Sequence, residues 1–115
     1  MSKTIKQLLD KADELGWKCS HCEFALKDFG YELEAFSTYG QDFIFCISST
    51  DKDGKETADE LIHSLRKYID AFDPCEEARI WAGASSAPQE LSDIIDDMHE
   101  CRQMMETLLN EWENL

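Results

Sequence analysis

Apolar residues recur at Ile5, Leu8, Leu9, Ala12 and Leu15, three and four positions apart, the period of one helical face. Thr4 followed three residues on by Gln7 has the form of a capping box, and Gly16 supplies a stop that tolerates a left-handed conformation. From Trp17 the texture turns to β. Residues 17–24 read as a first strand, 31–37 alternate through Tyr31, Leu33 and Ala35, and 43–48 alternate through Phe43, Phe45 and Ile47. The end of the first strand is open, since residues 24–30 also read as loop. The link Thr38-Tyr39-Gly40-Gln41 has hairpin length, so the three runs predict an antiparallel meander.

The helical period then returns. Asp51-Lys52-Asp53-Gly54 reads as a turn, and Thr57 with Glu60 as a second capping box ahead of a stripe through Leu61, Ile62, Leu65, Tyr68, Ile69 and Phe72. Asp73-Pro74-Cys75-Glu76 ends that helix and caps a short one running to about Gly83, because proline is accommodated at a first helical position. Ser85-Ser86-Ala87-Pro88 is a further break. Beyond it Leu91, Ile94, Met98, Cys101, Met105, Leu108 and Trp112 form the seam of the longest helix. The expectation is one α+β domain over residues 1–115: an N-terminal helix, a three-stranded antiparallel sheet, and a C-terminal set of three helices with the last one long.

With 43% hydrophobic residues the 115-residue chain has enough apolar side chain for a core. Neither an apolar signal core nor an 18-residue apolar span occurs, which predicts a cytoplasmic protein with no membrane partner. Charge sharpens the picture. The formal net charge is −14, and residues 83–115 hold eight of the 25 acids but one of the 11 bases. Direct nucleic-acid binding is disfavoured, since that affinity comes from Lys and Arg displacing counterions, and a basic protein surface is favoured instead.

Five cysteines, an odd number in a chain expected to be intracellular, argue for thiols that are free, buried or metal-bound. Cys19-Ser20-His21-Cys22 has the spacing by which two thiolates reach one structural zinc ion, with His21 as a further ligand and Cys75, in the first turn of a helix, as the best fourth. The competing reading makes Cys19 and Cys22 ordinary half-buried thiols. Cys46, among Phe and Ile, and Cys101, on the seam, read as core. His21-Cys22-Glu23 and Pro74-Cys75-Glu76-Glu77-Ala78 approach a zinc-deaminase signature, but Ala78 stands where a thiolate is required. No P-loop, nucleophile elbow or H-E-x-x-H occurs. The expectation is therefore a binding protein and not an enzyme.

The acidic face of the last helix has two readings, a solvated surface or a charge pattern offered to a cationic groove. On the second, Asp93, Asp96, Asp97 and Glu100 are the expected partner contacts, with Glu76 and Glu77 in support. Whether the seam continues across a dimer axis is open, so the chain is a monomer or a homodimer.

The segments Tyr39-Gly40-Gln41-Asp42-Phe43-Ile44-Phe45 and Phe72-Asp73-Pro74-Cys75-Glu76-Glu77-Ala78-Arg79-Ile80-Trp81, followed by a proline-led acidic helix, resemble small acidic orphan proteins of plasmids, conjugative elements and prophages of Gram-positive gut bacteria. That group includes anti-CRISPR inhibitors of the type II RNA-guided DNA nuclease. The resemblance implies stoichiometric inhibition by docking on a basic nucleic-acid-binding surface of that nuclease. The Cys19–Cys22 knuckle is not part of the group's pattern, so a metal there would be particular to this chain. The alternative is an antirestriction or plasmid-maintenance accessory protein with a structural zinc site, turning the same acidic face to another basic partner.

Overall fold

The computed structural model describes residues 3–25, 28–82 and 90–115. Helix α1 (Ile5–Glu14) starts where the pattern predicts: Thr4 Oγ1 accepts from the Gln7 N–H, and the Gln7 side chain accepts from the Thr4 N–H at 2.8 Å. Gly16, at φ 97°, ends the turn that follows, so the main chain reaches Trp17 in a conformation that a side chain would resist.

Strands β1 (Lys18–Ala25), β2 (Asp28–Phe36) and β3 (Asp42–Ser48) pair antiparallel in the order β1-β2-β3. The second strand begins earlier than the alternation through Tyr31 indicates. Its first turn is held from outside the hairpin, because the Phe29 N–H donates to Thr50 Oγ1 at 2.7 Å and the Ser49 N–H donates to the Phe29 carbonyl at 3.0 Å. Gly30 then lies between Cys22 and Ser48 as an ordinary strand residue.

Three helices follow: α2 (Ala58–Ala71), α3 (Pro74–Trp81) and α4 (Leu91–Glu113). Thr57 Oγ1 accepts from the Glu60 N–H and Asp73 accepts from the Cys75 N–H, each satisfying a donor that a helix start leaves free. The short third helix closes at Trp81. Gly83 and the break Ser85-Ser86-Ala87-Pro88 lie outside the described residues.

Helices cover one face of the sheet. Trp17, Tyr31, Leu33, Ala35, Phe43, Phe45 and Ile47 point into this layer and meet Leu61, Leu65, Phe72 and the α4 seam from Ile94 to Trp112. Aromatic rings stack edge to face at its centre, Trp17 on Phe45 at 5.3 Å and Phe43 on Phe72 at 5.9 Å. The indole N–H of Trp112 donates to the Leu8 carbonyl at 2.8 Å, joining the first helix to the last. Among the described residues no helix is long and apolar enough to cross a membrane.

Candidate functional site

The expected zinc ligands fall on strand β1, where side chains alternate between faces every residue. Cys19 pairs with Leu33 and His21 with Tyr31, so both point to the helix-covered side, whereas Cys22 pairs with Gly30 and points to the other. A Cys-x2-Cys spacing converges in a tight turn and diverges in a strand. Cys75 is exposed on α3, which packs chiefly on α4. His21 has partners of its own: Nε2 lies 3.0 Å from Glu56 Oε1, and the ring stacks on Phe29 and meets the edge of Tyr31. Glu56 Oε1 also lies 3.0 Å from Ser49 Oγ. Among the described residues no group of three His, Cys, Asp or Glu side chains is placed to hold a metal ion. This fold does not bring Cys19, His21, Cys22 and Cys75 together at one point.

Two other thiol expectations divide. Cys101 is fully buried on the α4 seam, where burial first, then Asp97 and Glu100, push its pKa up to about 12. Cys46 is exposed, because the residues flanking it, Phe45 and Ile47, take the inward positions and the alternation turns Cys46 out.

The acidic residues of α4 do not form one uniform solvent face. Asp96 is exposed and Asp93 half-buried, but Asp97 is fully buried and so is no docking contact on the surface. Position 97 stands three residues after Ile94 and four before Cys101, which places it on the seam itself. Neither of its carboxylate oxygens has a hydrogen-bond partner among the described residues. Burial pushes its pKa up, the neighbouring Ser37 hydroxyl opposes this, and Glu100 adds to the rise. Glu100 is bound within the fold: it accepts from the Thr38 N–H at 2.7 Å and from the Thr38 hydroxyl. On α3, Glu76 is exposed with Arg79 Nη1 at 3.6 Å, and Glu77 is half-buried.

These contacts seat the β2–β3 turn on the N-terminal half of α4. The turn closes through the Ser37 N–H donating to the Gln41 carbonyl at 3.0 Å, with Gly40 at φ 82°. Tyr39 projects from it with 49% of its surface exposed. Four carboxylates raise its phenol pKa, Asp93 most, and then, after a contribution from desolvation, Asp96, Asp97 and Glu100. An exposed aromatic ring amid carboxylates is a receptor for a guanidinium or ammonium group, which gains from the ring face and from the anions together. The sequence places Tyr39 in a link and at the head of the resembling segment Tyr39–Phe45, with no site role attached. The available signal was an aromatic residue at a hairpin tip, where the core has no use for it.

A cleft of about 430 Å³ lies elsewhere, between Lys3–Ile5 and Glu56–Asp59. It is lined by the caps of α1 and α2, whose Thr4 and Thr57 hydroxyls are already engaged. Compared with protein families, curated proteins and solved structures, the chain matches none.

Proposed function

We propose that this protein is a non-catalytic acidic binding module whose receptor site is the Tyr39 turn with Asp93, Asp96 and Glu100 of α4, and whose partner is a basic protein surface. The observation that carries this reading is an exposed tyrosine on a turn that Glu100 holds against α4, near enough to Asp93, Asp96 and Glu100 for their charges to raise its phenol pKa. A net charge of −14 draws a cationic partner from a distance, and the local site gives the encounter a register. The more specific reading rests on the resemblance given above: the partner is a type II RNA-guided DNA nuclease, and docking on its nucleic-acid-binding surface inhibits cleavage.

Two measurements test the two levels separately. Equimolar protein should suppress DNA cleavage by such a nuclease, and Asp93→Lys with Asp96→Lys should restore it while thermal unfolding is unchanged. Undiminished cleavage at excess protein removes the nuclease and keeps the binding module. Loss of the module itself requires a second result, equal capture of cationic peptides by the parent and by the doubly reversed variant.

A further inference from the structure

Hydrogen bonding in an antiparallel pair alternates, so every second residue of an edge strand turns its N–H and C=O away from the sheet. The Ser37 N–H bonds the Gln41 carbonyl, and the pairs that follow in step are Ala35 with Phe43 and Leu33 with Phe45. The main-chain groups of Asp42, Ile44 and Cys46 therefore point outward. Ser48 confirms the direction, because its N–H reaches outside the sheet to Ser64 Oγ at 2.9 Å. No hydrogen bond to the outward groups of Asp42, Ile44 or Cys46 is found among the described residues.

The sheet's two edges are unlike. Strand β1 has a register irregularity between Glu23 and Ala25, α1 packs against it, and it carries Lys18 and Glu23. Those are the features that stop another strand from pairing. Strand β3 is regular over Asp42–Ser48 and contains no Lys, Arg or Pro.

The side chains of Asp42 and Ile44 share the uncovered face of the sheet with Glu32, Glu34 and Phe36 of β2. Phe36 is 67% exposed and Ile44 37%. One oxygen of Asp42 is shielded from water without a hydrogen-bond partner among the described residues. The Glu34 carboxyl beside it has a raised pKa, chiefly through a hydrogen bond with Asp42. Two adjacent carboxylates on an open face are relieved by a cation. An apolar side chain has its place two residues along, beside Ile44.

We infer that β3 is a docking edge for an extended cationic segment of a partner protein, which adds as a fourth strand and sets Lys or Arg beside Asp42 and Glu34 and an apolar residue beside Ile44. The basic sign of the partner rests on the function proposed above; the strand geometry does not. A second copy of this chain is the poorer occupant, since it would bring two bodies of charge −14 together.

The test uses the full chain and a ten-residue peptide with arginine and valine alternating along one face of an extended chain and threonine between them. A control peptide has proline in place of each valine and one neighbouring threonine, which keeps the charge and removes donors that pairing needs in either strand direction. Amide hydrogen exchange should slow about tenfold or more at Ile44 and Cys46 with the first peptide and stay unchanged with the control. Ile44→Pro, whose lost N–H is not used within the sheet, should keep its circular dichroism and abolish that protection; Ile44→Lys, changed only on the open face, serves if the proline variant does not fold. Equal binding of both peptides with the two amides unprotected overturns strand addition and leaves the acidic-module reading standing. Binding of neither at low salt overturns both. Protection of the same amides by raising the protein's own concentration overturns the cationic partner in favour of self-pairing.

Discussion

The main-chain N–H of Thr38 donates to a carboxylate oxygen of Glu100 at 2.7 Å, and the Thr38 hydroxyl donates to the other. One acidic side chain thus holds a hairpin turn that stands 62 positions away in sequence. A carboxylate that accepts two donors is a fixed part of the site, and its loss frees the turn carrying Tyr39.

Glu100→Ala should cost about 1.5–3 kcal/mol in urea unfolding, the range for hydrogen bonds to a charged group. Exchange at the Thr38 amide should accelerate in the same variant. Asp96→Ala, from an exposed position on the same helix, should stay within about 0.5 kcal/mol of the parent.

Asp97 makes stability fall as pH rises. Its pKa in the folded protein lies above the ordinary 3.8, so the folded state holds a proton that the unfolded state has released. The loss begins near 3.8, grows until the raised folded value is passed, and is constant above it. Asp97→Asn removes the buried charge and should stabilise the protein by on the order of 1 kcal/mol at about pH 7, with the advantage gone below about pH 3. Urea midpoints at the two pH values measure it.

Thiol alkylation of the native protein should rank the cysteines by their surroundings. Cys75 and Cys46 are exposed and should react first. Cys19, with its pKa pushed up to about 11 by burial and by Asp13, should lag, and Cys101 should react only on unfolding. A chelator added beforehand should leave the order and the melting temperature unchanged; faster modification of Cys19 and Cys22 together would instead show that a metal had joined them.

Thr4→Ala and Thr57→Ala should each cost about 1 kcal/mol of unfolding free energy, because each hydroxyl accepts from an N–H in the first turn of its helix. A Ser replacement at either position keeps the acceptor and should recover most of the loss.

Local chemistry was the legible part of this sequence. The caps at Thr4, Thr57 and Asp73 and the alternation through Phe43, Phe45 and Ile47 are set by neighbours a few residues away, and the α+β order followed from them. The zinc motif's spacing acquires meaning only after the backbone is known: in a turn Cys19 and Cys22 converge, in β1 they part. Cys46 and Asp97 are different, since the pattern already contained their positions. Alternation turned Cys46 outward and the α4 seam took in Asp97, but residue type was given more weight than phase. The Tyr39 site and the bare edge of β3 depend on which elements become neighbours, and no local window carries that information.

The clasp between Leu8 and Trp112 also orders events during synthesis. Helix α1 is made well ahead of Trp112, so the part of its apolar stripe that α4 covers stays open until the last helix is made. The two sheet hairpins, each local in sequence, are able to form meanwhile, which makes closure of the helical layer a late event.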